Sequence, residues 1–140
     1  MKYRELRGYN FELLEPEIRN VELPNAYHSY MFIQDITLGI KPRYAWDGSS
    51  IPLKKWYRRI WDADKYCKTA SLVHDALCQL MREDLLDKKY KEYIDGLYRD
   101  MCIQGGMGKR QANLRYWFLR KFGDRYIEPE KNPRGKVFTI

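Results

Sequence analysis

The segment Tyr66–Arg82, YCKTASLVHDALCQLMR, decides the fold of this chain. Its apolar residues recur at steps of three and four, the spacing that places side chains on one face of an α-helix. The members of this apolar stripe are Tyr66, Ala70, Val73, Leu77 and Met81. The pattern predicts a long amphipathic helix that packs one side against a core.

Further helices are predicted before and after this segment. Lys88–Ile103 repeats its apolar residues at helical steps, and Lys109–Phe122 is predicted as a helix that ends at Gly123. A short helix through Trp56–Trp61 is also expected, because the preceding Pro52 suits a first helical turn.

The first part of the chain has the composition of short strands. Asn10–Leu14, Ser29–Ile33 and Ile36–Arg43 are rich in aromatic and β-branched residues, with turn-forming residues between them. They predict a small antiparallel sheet of three or four strands. Strands followed by helices indicate an α+β fold, in which this N-terminal sheet packs against three C-terminal helices.

Length and charge limit the functional classes. The 140 residues fit one domain, divided into a β-rich part (1–52), a helical part (53–123) and a C-terminal tail (124–140). The 26 Lys and Arg residues outnumber the 19 Asp and Glu residues, and the resulting charge of +7 favours anionic partners. Both signs are spread along the chain, so a well-solvated surface is the simpler explanation of this balance. No apolar stretch has the length of a membrane span, and the N-terminus lacks the apolar region of a secretory signal. We therefore expect a protein that works in the compartment where it is made, or that is carried out of it inside a larger particle.

The three cysteines are Cys67, Cys78 and Cys102, an odd number without the spacing of a disulfide framework. All three lie in predicted helices, so we expect free, buried thiols in a reducing compartment and no disulfide partner. Cys67 and Cys78 share a helix face with His74, an arrangement that zinc could use. Core thiols beside a core histidine explain the spacing better, because the chain has no Cys-x-x-Cys pair.

His74 is the most informative single residue. It falls within the apolar stripe of its helix, and Asp75 follows at the edge of that stripe. Asp95 borders the apolar face of the next helix, and Asp47 lies in the turn that leaves the strands. Buried imidazole and carboxylate groups need hydrogen bonds or a metal to offset their desolvation. These four residues are therefore the candidate catalytic site.

Two interpretations of this site stay open. In the first, His74, Asp75 and Asp95 hold a divalent metal, and the remaining carboxylate of Asp47 orients water for hydrolysis. In the second, Asp47 caps a turn while His74 and Asp95 form a structural hydrogen-bonded pair. The sequence identifies neither the metal nor a substrate.

The last predicted helix carries the candidate surface for nucleic acid or for another partner. Arg110, Trp117 and Lys121 fall together on its helical wheel, and Arg120 lies beside them. Cations around an aromatic ring suit phosphate groups and a stacked base. Long cationic side chains also cover apolar area on ordinary surface helices, so a solvated face is the alternative.

Three motifs together resemble domain-of-unknown-function family 1353, which consists of small proteins from phages and prophages. The motifs are Asp47-Gly-Ser-Ser-Ile-Pro52, Ala70-Ser-Leu-Val-His74-Asp75, and Asp95 ahead of Gly106. The resemblance spans roughly residues 10 to 106 and is carried mainly by the turn and the His-Asp motif. The chain departs from the family pattern at Cys78, where an aromatic is usual, and at Ile94, where Ala is usual.

The resemblance implies a phage or prophage origin, and a location in the cytoplasm of the host cell or within the virion. It places Asp47, Ser50, Pro52, His74, Asp75 and Asp95 on the polar positions that mark the family. It implies no activity, because none is established for the family. Three hypotheses remain: a metal-assisted, hydrolase-like enzyme, a non-enzymatic virion component or effector that binds a phage or host protein, and a nonspecific nucleic-acid binder that uses the last helix.

Overall fold

The N-terminal part of the chain builds two antiparallel sheets. The computed structural model describes residues 1–6, 11–46 and 64–128. One sheet has the strand order β1-β2-β7, and the other has the order β3-β6-β5-β4. The strands are β1 (Tyr3–Glu5), β2 (Phe11–Leu13), β3 (Glu17–Asn20), β4 (Ala26–Tyr27), β5 (Met31–Gln34), β6 (Thr37–Ile40) and β7 (Ala45–Trp46).

A tight hairpin organises the four-stranded sheet. Strands β5 and β6 pair from Met31↔Ile40 to Gln34↔Thr37, which leaves only Asp35 and Ile36 in the loop. Both loop residues have positive φ, at 48° and 57°. A two-residue loop of this kind matches the right-handed twist of the strands, although a β-branched residue such as Ile36 rarely adopts it.

Three α-helices follow the strands in the described residues, as predicted. They are α1 (Asp64–Arg82), α2 (Lys91–Gln104) and α3 (Lys109–Phe122). A 3-10 turn over Lys88–Tyr90 precedes α2, and the Asp87 carboxylate caps it by accepting from the Lys89 N–H at 2.8 Å. The α+β fold class is therefore confirmed, with two small sheets in place of the single sheet expected. None of the described helices is both long enough and apolar enough to cross a membrane.

Helix α1 forms the centre of the core. Ala70, Val73, Leu77 and Met81 of its apolar stripe are buried in one cluster with residues of both sheets, and Tyr66 packs against this cluster partly buried. The most buried large side chains of the helix are Leu72, Val73, Leu77, Leu80 and Met81. The predicted stripe is thus confirmed. On the sheet side, the fully buried Trp46 donates its Nε1–H to Ser71 Oγ at 3.1 Å, which satisfies the indole inside the core.

Helices α1 and α2 pack antiparallel, and this brings Cys67 and Cys102 together. The two residues form a disulfide with their Cα atoms 4.8 Å apart, while Cys78 stays a free, buried thiol. The expectation of no disulfide partner is therefore wrong for Cys67 and Cys102. They are 35 residues apart in sequence, so only the pairing of the two helices makes them neighbours.

Several predicted features lie outside the described residues. They are the turn that contains Asp47, Ser50 and Pro52, the short helix at Trp56–Trp61, and the tail beyond residue 128.

We predict that purified protein, denatured without reductant, reacts with one equivalent of a thiol-alkylating reagent, because Cys78 alone is free. After reduction it should take up three equivalents and lose about 4 kcal/mol of unfolding free energy, the value for a loop of 35 residues. Intact-mass spectrometry and urea denaturation provide the two measurements. Three alkylated cysteines before reduction would contradict the assignment.

Candidate functional site

Asp95 lies at the centre of a polar cluster between the three helices. Its side chain is fully buried and accepts hydrogen bonds from three basic groups. His74 Nε2 donates to Oδ1 at 2.8 Å, Lys91 Nζ donates to Oδ2 at 2.6 Å, and Arg120 Nη1 donates to Oδ2 at 3.2 Å. The three donors come from α1, α2 and α3, so a single carboxylate connects all three helices. We call these four residues the Asp95 cluster.

The local sequence places each donor of the Asp95 cluster. His74 points toward α2 because it belongs to the apolar stripe of α1. Lys91 precedes Asp95 by four residues, the spacing that brings two side chains together on a helix. Its ammonium group also donates to the Leu119 carbonyl of α3 at 2.9 Å. The next residue along α3, Arg120, then reaches the same carboxylate.

A second layer of side chains packs around His74. Cys78 Sγ lies 3.7 Å from His74 Nδ1, and the Tyr98 ring meets the imidazole edge to face at a centroid distance of 5.3 Å. The hydroxyl of Tyr98 accepts from Arg115 Nη1 at 3.1 Å, and both of these residues are buried. The imidazole is therefore enclosed by polar and polarisable groups.

Electrostatics favour the charged forms of the central pair. Burial alone would lower the pKa of His74, but the neighbouring Cys78 and the Asp95 carboxylate raise that pKa well above its ordinary value. Burial alone would raise the pKa of Asp95, but the hydrogen bonds and charges of His74 and Lys91 hold it below the ordinary value. Both shifts favour the charged forms, so the contact between His74 and Asp95 has the character of a buried ion pair.

The structure brings His74 and Asp95 into direct contact but builds no metal-binding group from the residues it describes. Among them, no three His, Cys, Asp or Glu side chains gather where they could hold a metal ion. Asp75 is half-buried on α1, and Asp47 lies outside the described residues. Of the two interpretations of this site, the hydrogen-bonded pair is the one these contacts favour.

The candidate binding surface on α3 is exposed. Arg110, Trp117 and Lys121 all face solvent, and 47% of the Trp117 surface is accessible. Lys121 Nζ lies 5.7 Å from the centroid of the Trp117 ring. Arg120 differs from the other three predicted residues, because its guanidinium group reaches inward to Asp95.

Sequence reasoning missed several members of the site. Lys91 was identifiable from its spacing to Asp95, since a Lys four residues before an Asp on a helix indicates an ion pair. Arg115 is buried on α3 beside Ala112. Arginine is rarely buried without a partner, but the sequence does not reveal that this partner is Tyr98. Cys78, by contrast, was predicted as a core thiol on the helix face of His74, and it lies beside that imidazole.

Comparisons of the chain with protein-family models, with curated proteins and with solved structures find no match. The resemblance to family 1353, and the phage origin that it implies, therefore stay predictions.

We predict that Asp95→Asn lowers the unfolding free energy by about 3–5 kcal/mol, because it leaves the buried Lys91 without a counter-charge. The matched control is Asp100→Asn, an exposed carboxylate on the same helix, which should change stability by less than about 0.5 kcal/mol. Urea denaturation of the three proteins measures both effects. Equal stability of the two variants would show that the Asp95 cluster does not hold the helices together.

The pH dependence of stability should follow the two shifted groups. A lowered pKa means that the contribution of Asp95 is complete above its ordinary value of 3.8 and is lost as pH falls through the lowered pKa. A raised pKa means that the contribution of His74 is complete below 6.5 and is lost as pH rises through the raised pKa. The difference in unfolding free energy between the wild type and His74→Gln should therefore shrink above pH 6.5. A difference that grows with pH would indicate a lowered pKa and contradict the assignment.

Proposed function

We propose that this protein binds single-stranded nucleic acid without sequence specificity, through the exposed face of α3. This face, which we call the basic–aromatic face, consists of Arg110, Leu114, Trp117 and Lys121. The observation that carries the proposal is an exposed indole with an ammonium group over its ring, on a helix that has no acidic residue and exposes Lys109, Arg110 and Lys121. A base can stack on the ring while the cations contact the neighbouring phosphates.

The indole of Trp117 contacts two neighbouring phenyl rings. Phe118 and Phe122 lie 5.2 and 6.1 Å from Trp117 between ring centroids, with ring planes nearly perpendicular to the indole. Neither phenyl ring therefore covers the indole by parallel stacking. Because Trp117 is supported before a ligand arrives, less conformational entropy is lost when a base stacks on it.

The alternative of a metal-assisted hydrolase has weaker support. A divalent metal prefers carboxylates whose charge is not already balanced. Asp95 is held by Lys91, Arg120 and His74, so its negative charge is already neutralised by the protein. These contacts support an architectural role for the Asp95 cluster and direct the search for function to α3.

A protein partner at the same face is the second candidate, and the exposure of Leu114 and Phe122 favours it. Apolar side chains contribute to protein docking, whereas phosphate groups do not use them. The two candidates differ in their salt dependence, because nucleic-acid binding releases counterions from the phosphate backbone.

We predict that a fluorescein-labelled oligothymidylate of twenty nucleotides binds the protein, with an affinity that falls at least tenfold between 50 and 200 mM NaCl. Trp117→Ala should weaken binding about tenfold or more, since stacking contributes about 1–3 kcal/mol per base. Lys121→Ala and Arg110→Ala should each reduce the slope of log affinity against log salt by about 0.7. Fluorescence anisotropy measures all of these quantities.

The matched control is Tyr27→Ala, which removes an exposed aromatic ring from β4, far from α3 in the sequence. It should leave binding unchanged, and so should His74→Gln if that variant remains folded in a thermal melt. Equal binding by Trp117→Ala and the wild type, or an affinity that is independent of salt, would refute the proposal.

A further inference from the structure

The outer edge of β3 is open in the part of the chain that the structure describes. Strand β3 pairs with β6 on one side only. The register Arg19↔Leu38 and the bond from the Val21 N–H to the Ile36 carbonyl show that Glu17, Arg19 and Val21 face the ladder. The N–H and C=O groups of the alternate residues, Ile18 and Asn20, therefore point away from the sheet. Two donors and two acceptors are available there for another strand.

A groove runs beside this open edge, between β3 and α2. Two cavities of about 550 and 570 Å³ share Asn20, Leu97 and Asp100 in their walls, so they lie side by side along the strand. Leu97 and Met101 supply an apolar wall on the helix side. A groove bounded by an edge strand and a helix has the shape that receives an extended peptide as an added strand.

Gly96 opens this groove. It lies in the interior of α2, where glycine is the least favourable residue apart from proline. No atom lies within 4 Å of the position that a Cβ would occupy, so packing inside the protein does not require a glycine. Its missing side chain widens the groove beside Tyr93 and Leu97.

The groove is acidic on a protein that is basic overall. Its walls contain four carboxylates, Glu17, Glu22, Glu92 and Asp100, and two arginines, Arg19 and Arg99. The arginines lie 3.5 and 3.4 Å from Glu17 and Asp100, respectively. Within the described residues, Glu22 and Glu92 make no ion pair.

The negative charge of the groove indicates which kind of molecule can bind in it. Nucleic acid is repelled by the two uncompensated carboxylates. A second copy of the chain, joined edge to edge at β3, would place two acidic grooves against each other. A basic segment is the complementary ligand.

We propose that the groove between β3 and α2 binds an extended, Lys- or Arg-containing segment of a partner protein, which adds as a strand to the outer edge of β3. The Ile18 and Asn20 backbone groups would form the new ladder, while Glu22 and Glu92 would attract the basic side chains. Ile18, with 67% of its surface exposed, would contact the alternate apolar residues of the segment. This surface is separate from the basic–aromatic face, so either proposal can fail without the other.

The probe is a fluorescein-labelled octapeptide that alternates Lys and Val, tested against the full chain by fluorescence anisotropy. We expect it to bind at least tenfold more tightly than the matched octapeptide of Glu and Val. In amide hydrogen exchange followed by NMR, saturation with the Lys peptide should slow the exchange of the Ile18 and Asn20 N–H groups.

Two variants test the geometry independently. Ile18→Pro removes an N–H that faces outward, a position where an edge strand tolerates proline, and it should weaken peptide binding at least tenfold. Gly96→Phe fills the groove from the opposite wall and should have a similar effect. The matched control, Gly96→Ala, should bind like the wild type and raise Tm by about 3–5 °C, because alanine is the better helix former.

Three results would overturn the proposal. The first is Lys peptide binding that is unchanged in either Gly96→Phe or a folded Ile18→Pro variant. The second is equal binding of the Glu peptide. The third is a dimer, seen by sedimentation, that Ile18→Pro converts to a monomer, since a second copy would then occupy the edge.

Discussion

The arrangement of the three helices depends on one buried negative charge. Asp95 receives hydrogen bonds from His74, Lys91 and Arg120, and a carboxylate without exposure to water is stable only with such partners. Helix α3 depends on it most, because Ala112 and Arg115 are the buried residues of that helix. Polar contacts therefore contribute to the attachment of α3 alongside the partly buried Leu119, while Leu114, Trp117 and Phe122 are left exposed. The basic–aromatic face of the same helix stays exposed.

The positions of the helices could be predicted from the sequence, but their contacts could not. The apolar stripe of Tyr66–Arg82 reflects a local periodicity, and α3 begins and ends at the predicted residues, Lys109 and Phe122. The disulfide is different, because it depends on how two helices pack. His74 follows Cys67 by seven positions, and Cys102 follows Asp95 by seven positions. When two antiparallel helices place His74 beside Asp95, they therefore also place the two cysteines side by side, two helical turns away. This equal spacing predicts the disulfide only if the contact between His74 and Asp95 is already known.

The strands were harder to predict from the sequence than the helices. All seven described strands have only two to four residues, too few to display an alternating pattern. Strands β2, β5 and β6 lie in segments rich in aromatic and β-branched residues and were predicted from that composition, whereas β3 follows from its pairing with β6. The groove beside β3 was for this reason invisible in the sequence, whereas the basic–aromatic face of α3 could be predicted from a helical wheel. Of the candidate site, the meeting of His74 and Asp95 was one of two predicted arrangements, and Lys91 and Arg120 were not expected beside them.

The disulfide between Cys67 and Cys102 also determines how the chain responds to mechanical force. The bond encloses most of α1, the turn after it and nearly all of α2. When the two ends of the chain are pulled apart, the disulfide carries the tension. The chain between the two cysteines, which are 35 positions apart, is then not under load. That separation corresponds to roughly 120 Å of extended chain that cannot be drawn out while the bond is intact. The segment that carries His74 and Asp95 is thus shielded from load, and the force falls on the sheets and on α3.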